Sequence, residues 1–413
     1  MHRRKPYYGW FITITLAVTE TISWGILYYA FTVFITPMEA ELGWSRAELT
    51  GGFSLLLLVA GMIAFPIGTW IDKHGARMLM TLGSMGACLL VIAWSQVTSL
   101  AGFYLIWAGL GVCGAAILYE PAFAVVAQWF HTRRSTALTV ITLAAGLAST
   151  IFLPLCDALL RAFGWRTAVL ILGLFLGCMT IPLHALMLRR HPADLGLLPD
   201  GAVKTEADTF TPLPGLPFRA VMNERLFWWV AVGFGLSTLS SAAIRVHLIP
   251  YMIDIGIESS TAAAATGVIG IMQVIGRIFF APIDRRYSIR SIISGIFALQ
   301  TIALACLLAG HSALAISAFI ALFGASQGAA TLSRPSVLIE LFGTAQYGRI
   351  SSVMAIVVTV SNTAAPLMAG LIYDQAGDYQ PVLWLVAVLA LLATAVAWLS
   401  RRASAPALLT SAQ

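Results

Sequence analysis

Residues 102–129 read GFYLIWAGLGVCGAAILYEPAFAVVAQW, 28 residues carrying one charge, Glu120. A helix needs about 20 apolar residues to cross the hydrocarbon core of a bilayer, so this run is long enough to span it. Within it, Gly109-Leu110-Gly111-Val112-Cys113-Gly114 spells the G-x-G-x-x-G of a dinucleotide-binding turn. That turn needs a strand before it and a βαβ unit around it, and neither is present, so the site is rejected. The small residues here, like Gly324 and Gly328 further on, read as close packing between helices.

Eleven more runs of this kind surround the first. Spans are expected near 10–34, 48–71, 78–97, 102–129, 135–158 and 167–188, then near 226–250, 261–283, 291–310, 313–340, 350–373 and 381–400. The fold class is therefore an all-α membrane protein with twelve transmembrane helices. The bulk numbers agree: of 413 residues, 59% are hydrophobic and 10% charged, with a mean hydropathy of +0.87. Soluble chains carry about 25% charged residues, which excludes an ordinary soluble enzyme, and disorder is excluded because the chain has too much to bury.

Only 189–224 is long and polar. Its charges and its prolines from Pro199 to Pro217 make it a cytoplasmic linker between a six-helix half at 1–188 and a second at 225–413 with a short tail. The halves repeat weakly. Glu120-Pro121 precedes Trp129-Phe130 and Arg133-Arg134 as Arg334-Pro335 precedes Leu341-Phe342 and Arg349, and Asp72-Lys73 is echoed by Asp284-Arg285. Their common order supports a duplicated transporter, with the site expected at midplane between the halves.

The net charge of +6 is explained by topology. With the N-terminus cytoplasmic, eighteen of the 24 basic residues face the cytoplasm, three the outside, and three lie inside spans. This is the positive-inside asymmetry, so no nucleic-acid partner is expected and both termini are cytoplasmic. Met-His-Arg-Arg-Lys-Pro leads into the first span without a cleavage site, which reads as a retained helix. Cys88, Cys113, Cys156, Cys178 and Cys306 all lie in apolar runs and lack metal-ligand spacing, so they read as small buried hydrophobes. Neither a metal-binding His pair, nor a P-loop, nor a nucleophile elbow is found. Cofactors, metals and enzyme activity are accordingly not expected, and direct ATP drive is not supported.

Between the second and third spans stands Gly68-Thr69-Trp70-Ile71-Asp72-Lys73-His74-Gly75-Ala76-Arg77. It resembles the signature loop of the major facilitator superfamily, G-x-x-x-D-[RK]-x-G-x-[RK], at every constrained position. The resemblance implies the major facilitator fold, with two pseudo-symmetric six-helix halves. It also implies a loop that governs the conformational switch without touching substrate, Asp72 accepting bonds that are cheap to break and remake. Ordinary loop charge is the plainer alternative. Within the superfamily the chain looks most like the monocarboxylate porter branch and its bacterial relatives. The residues carrying this are Tyr8-Gly9-Trp10, Leu42-Gly43-Trp44-Ser45-Arg46, Gly164-Trp165-Arg166, and Trp129-Phe130 with Arg133, Arg134 and Ala137. Two departures stand out: Thr139 replaces an expected Gly, and the acidic residue often found before the first span is missing.

Five ionisable groups inside spans are functional candidates by default, because each costs from ~2.5 kcal/mol upward to bury. They are Glu20, Glu120, Arg245, Arg277 and Arg334. By resemblance, spans 1, 4, 7 and 10 line the cavity, and the porter branch places an Arg on span 8 that pairs with the substrate carboxylate. Arg277 stands there, and a guanidinium fork suits that task; a structural ion pair with Glu20 is the alternative. One turn earlier, where several animal porters carry an Asp for proton coupling, this chain has Gln273. Glu120 and Arg334 occupy matching places, nine and six residues from the cytoplasmic ends of their spans, and read equally as an inner gate or a permanent salt bridge. Glu20 is either a proton carrier or a counter-charge for Arg277 or Arg245. Arg245 and His247, near the outer end of span 7, fit snorkelling or outer gating, while His184 reads as structural. Tyr28, Tyr29, Tyr119, Gln327 and Asn362 offer hydrogen bonds to a cavity, or to another helix.

The expected function is alternating-access transport of a small organic anion, a monocarboxylate, across the lipid bilayer with proton symport, in a bacterial inner membrane. A drug or metabolite exporter of the same fold is the first alternative, and a non-transporting sensor the second. The sensor reading lacks the large soluble extension such proteins carry.

Overall fold

The computed structural model describes residues 7–130, 132–201, 216–284, 286–310, 312–343 and 346–402. Fifteen α-helices are found among them, and no strand. Eleven candidate spans are long and apolar enough to cross a membrane. One of them, Thr136–Met187, is two in one. It is broken at Gly164, whose φ of 74° and ψ of 164° are not helical, so spans five and six meet at a hinge that only glycine adopts readily. With that break the twelve spans of the sequence are all present among the described residues.

The chain divides into two compact units, Met1–Ala207 and Asp208–Gln413. In the first, α1 (Tyr8–Trp24) passes through a five-residue π-helical segment, Gly25–Tyr29, into α2 (Ala30–Leu42). There follow α3 (Arg46–His74), α4 (Ala76–Ser95), α5 (Leu100–Ile117), α6 (Tyr119–Trp129), α7 (Arg134–Gly146) and α8 (Ala148–Met187). Two short 3-10 turns, Pro192–Leu195 and Pro199–Gly201, end the described part of the unit. The second unit holds the short α9 (Phe218–Asn223), α10 (Arg225–Asp254), α11 (Ser259–Asp284), α12 (Ile289–Ala309), α13 (Ala313–Phe342), α14 (Tyr347–Ala376) and α15 (Gln380–Arg402).

The two units use one packing plan. In the first, α3 lies on α5, α4 on α5 and α8, and α1 on α7 and α8. In the second, α11 lies on α13, α12 on α13 and α15, and α10 on α14 and α15. Span for span these are the same partners, which is what a duplicated chain requires.

Aromatic rings fill the core of the first unit. Phe31 stacks on Phe53 at 5.0 Å, and Trp107 meets Phe31 at 4.7 Å and Trp94 at 5.2 Å. The second core is built from Phe227, Phe234, Phe297 and Phe342 with aliphatic neighbours, and Leu216, at the end of the linker, is buried there through a bond from its N–H to the Phe342 carbonyl. Large apolar side chains such as Leu105 (74% exposed) and Leu314 (81% exposed) stand on the outside. A patch of that kind is unfavourable in water and suited to lipid.

The signature segment is less of a loop than its sequence suggests. Helix α3 continues through Asp72 and Lys73 to His74, and α4 starts at Ala76. The connection is Gly75 alone, at φ 81°, its N–H bonded back to the Ile71 carbonyl at 2.8 Å. Such a left-handed link needs glycine. The Asp72 side chain lies outside the described residues, as do the 202–215 part of the linker and Arg285.

Candidate functional site

Glu20 is a buried acid in the middle of the first unit. Its side chain is fully buried on α1, and Oε2 accepts from the indole Nε1 of Trp24, one turn on, at 3.0 Å. Oε1 is buried with no hydrogen-bond partner among the described residues. Trp24 gathers two other predicted site residues, its ring lying 5.3 Å from that of Tyr28 and 5.1 Å from that of Tyr119. Tyr28 belongs to the π-helical turn, where Gly25 lies against the Phe152 ring so closely that a Cβ would collide with it. A π-turn shifts the register of the chain that follows, and such turns gather at functional sites.

The fourth span is broken beside this cluster. Leu118 separates α5 from α6 with an extended backbone (φ −90°, ψ −161°), which puts Glu120 in the first turn of α6 ahead of Pro121. A carboxylate is favoured there by the helix dipole. The Glu120 side chain is exposed, as is that of Arg334 on α13. Each therefore differs from Glu20, although all three read alike as charges within apolar runs.

In the second unit three helices converge on one cation. Arg245 of α10 donates from Nη1 to the Gln327 side-chain oxygen of α13 at 2.9 Å, and from Nη2 to the Asn362 oxygen of α14 at 3.2 Å. A weaker contact of 3.4 Å runs from Nη1 to Ser241 Oγ, one turn earlier. All three partners are neutral. The sequence left snorkelling and outer gating open for Arg245, and the guanidinium is held by the two facing helices. His247 is held as well. It is 1% exposed, with Nε2 2.9 Å from the Pro366 carbonyl and Nδ1 2.8 Å from the Tyr379 hydroxyl. A carbonyl can only accept, so Nε2 carries a proton, and in the neutral ring Nδ1 then accepts from the phenol. His247 thus ties α10 to α14 beneath the arginine cluster.

Arg277 and Gln273 lie on α11, Arg277 half-buried and Gln273 9% exposed. Their helix is pressed on α13. A Cβ on Gly276 would meet the Ala325 backbone, and one on Gly328 the Gln273 carbonyl. These glycines let two backbones touch and fix the height of Gln327 relative to Gln273. His184 is buried on α8, its Nδ1 2.8 Å from Ser84 Oγ of α4.

At one end of the first unit the signature residues are fastened to the end of α8. Arg77 Nε donates to the Ala185 carbonyl at 2.7 Å, and Arg190 donates to the Lys73 carbonyl. Gly68 has nothing within 4 Å of a would-be Cβ. The Arg133–Arg134 segment is held by a residue the sequence did not single out. Asp200, in the linker, accepts from the Thr132 N–H at 2.7 Å and the Arg133 N–H at 3.2 Å, in a left-handed conformation (φ 57°) rare outside glycine. The guanidinium groups of Arg133 and Arg134 are exposed. Tyr7 completes this end by donating to the Trp129 carbonyl at 2.8 Å. Burial first, and then the negative charge of Asp200, push the Tyr7 phenol up to about 12.

The opposite end is tied by motif residues, Ser45, Arg46, Trp165 and Arg166, together with Glu39, Glu41 and Glu48, which no motif includes. Glu41 accepts from Trp165 Nε1 and from Arg166 Nε at 2.7 Å, and Arg166 Nη1 reaches the carbonyls of Ser95 and Val97 at 3.0 and 2.9 Å. Arg46 pairs with Glu39 at 2.9 Å, and Ser45 with Glu48 forms a capping box on α3. Their job is to hold helix ends together. Among the described residues no group of three or more His, Cys, Asp or Glu could hold a metal.

Comparison with known proteins places the chain. The family model described as Major Facilitator Superfamily matches residues 13–308 and 230–413. Monocarboxylate transporter 12 of Xenopus laevis is 26% identical over 416 residues, covering 92% of this chain and 86% of that protein. The MFS-type transporter YcxA of Bacillus subtilis (strain 168) is 24% identical over 387 residues, covering 91% of each. A crystal structure of a bacterial homolog of the human lysosomal transporter Spinster superposes with a TM-score of 0.73 at 16% identity, over 97% of this chain and 98% of that one. The last likeness is one of fold alone.

Proposed function

Because the chain belongs to the Major Facilitator Superfamily, we propose that it moves a small organic anion, a monocarboxylate, across the membrane by alternating access with proton symport. That it is a membrane transporter, not an enzyme, follows from the family. The finer reading is supported above all by Arg277, a half-buried guanidinium on an apolar helix pinned by Gly276. A planar fork that stays charged at every relevant pH binds a carboxylate in two places at once. Relatives named monocarboxylate transporters over some 90% of the chain lend weight to the same class.

Glu20 is the proposed proton carrier, because its carboxyl is fully buried with one oxygen lacking a hydrogen-bond partner among the described residues. Tyr28 and Tyr119 line its surroundings, and Gln273 and Asn362 are proposed polar contacts for substrate. Glu120 and Arg334, both exposed within spans, are proposed gating charges, since a charge exposed at that depth is stable only toward an aqueous path. The segment from Gly68 to Arg77, with Arg133 and Arg134, is proposed to act in the conformational switch on the cytoplasmic side. The proposed location is a bacterial inner membrane with both termini cytoplasmic and 189–224 as the linker between halves.

Uptake into proteoliposomes tests this. Labelled small carboxylic acids are expected to accumulate under an inward proton gradient, and Arg277→Ala to lower uptake at least tenfold. No accumulation, or unchanged uptake in the variant, contradicts it. The exporter alternative draws on the aromatic group of Trp24, Tyr28, Tyr119 and Phe123; thermal stabilisation by cationic lipophiles and not by carboxylic acids would favour it.

A further inference from the structure

We infer that Arg245, Gln327 and Asn362 form a second anion-binding site, on other helices than Arg277, which holds the substrate's one carboxylate at a different stage of transport from Arg277. The inference rests on the organic-anion reading and adds to it a binding group on α10 that neither the signature motifs nor the relatives' names assign.

The argument is one of donors and acceptors. A guanidinium has five N–H groups and accepts nothing. Three are directed at neutral oxygens, on Ser241, Gln327 and Asn362, so two stay available for a ligand. Both amides must turn their oxygens to the arginine, and this turns their NH2 groups away from it. Neither amide nitrogen has a partner among the described residues, and both side chains are half-buried, so they reach the accessible surface. Ser241 is already spent, since its hydroxyl donates to the Thr238 carbonyl at 3.2 Å. What the cluster presents is therefore a full positive charge and a set of N–H donors. A cation is repelled by it, and a neutral lipophile leaves its donors unsatisfied. A carboxylate satisfies both charge and donors at once.

The cluster is also built to hold its shape. Gln327 sits on the helix whose Gly324 and Gly328 meet the α11 backbone at Ile269 and Gln273. Asn362 sits on the helix to which His247 bonds through the Pro366 carbonyl. Three helices therefore fix the fork before any ligand arrives, which lowers the ordering cost of binding. The α11–α13 contact at Gly276 and Gly328 also joins the Arg277 helix to the Gln327 helix as one stiff pair.

The test uses the full-length protein in liposomes and in detergent, with acetate, L-lactate, pyruvate, succinate and a lipophilic cation as probes. Wild type is expected to bind at least one acid and not the cation. Arg245→Gln should raise KM and Kd for that acid at least tenfold with Vmax within about threefold, and Arg245→Lys should recover part of the loss. Gln327→Leu and Asn362→Leu should each raise KM about three- to tenfold, and they carry the test if Arg245→Gln does not fold. A purely structural cluster would lower the melting temperature of every variant and leave Kd for the acid unchanged. That result, in variants of a wild type that binds acid and loses it in Arg277→Ala, overturns this inference and leaves the anion reading standing. A wild type that binds none of the acids overturns both.

Discussion

The two halves share one packing plan and put opposite chemistry in the middle of it. In the first, Glu20 is fully buried, with a single indole N–H for a partner among the described residues. In the second, Arg245 is half-buried and held by side-chain oxygens from three helices. A sealed carboxyl with one bond is suited to exchanging a proton. An open guanidinium with unspent donors is suited to a ligand that comes and goes. The duplication supplied a symmetrical frame, and the proposed division of labour between proton and anion rests on one side chain in each half, not on the fold.

The sharpest way to break this contrast is to neutralise each group in turn. Glu20→Gln should abolish accumulation driven by a proton gradient, while exchange of labelled substrate across the membrane stays within a few-fold of wild type. Counterflow and gradient-driven uptake measured on the same vesicles separate the two. If Glu20→Gln still accumulates substrate, the proton does not pass through the first half at that residue.

A second comparison concerns how each half is pinned. Gly328→Ala should destabilise the protein by ~1–3 kcal/mol, because its Cβ meets the Gln273 backbone carbonyl, which cannot swing aside. Gly25→Ala meets the Phe152 ring instead. A ring has more freedom to shift, so the loss should be smaller. Thermal melting in detergent gives the order, and a reversed order would mean that the π-turn is the stiffer of the two.

Next in size is Tyr7→Phe, which deletes a neutral hydrogen bond to the Trp129 carbonyl worth about 1 kcal/mol. The phenol is held neutral up to about 12 in the fold against an ordinary value of 10.0. A proton bound more tightly by the folded state gives stability that is full below pH 10 and is lost as pH rises towards 12. Wild type should therefore lose stability over that window and Tyr7→Phe should lose less, in alkaline melts of the two proteins.

The smallest effect is expected at the signature glycine. Gly68→Ala has open space around its Cβ and a helical backbone. It should leave stability unchanged or raise it by up to ~1 kcal/mol. A loss of transport without a loss of stability would show that Gly68 is needed for the switch rather than for this packing.

Periodic and compositional features were legible in the sequence. Twelve spans, the duplication and the signature segment all follow from runs of apolar residues and from short-range spacing. What stayed hidden needs three dimensions. Separations of 82 positions from Arg245 to Gln327 and 117 from Arg245 to Asn362 leave no periodic trace, so their meeting on one guanidinium could not be read. The break at Leu118 carries no glycine to announce it, and only Pro121, three residues on, hints at it. Asp200 looks like one more polar residue in a proline-rich linker, although Pro199-Asp200-Gly201 is a turn sequence. Trp165 and Arg166 stood in the sequence as members of a family motif, and Glu41 directly before another. A Trp-Arg pair after a glycine, matched by an acid at the end of another span, was the available sign of their structural bond.

The most direct test of the account is uptake of a labelled monocarboxylate into proteoliposomes of the wild-type protein, with and without an imposed inward proton gradient and with a protonophore. The account predicts accumulation above equilibrium that the protonophore collapses. Uptake that merely equilibrates and ignores the gradient, or transport of lipophilic cations with none of the acid, would contradict it.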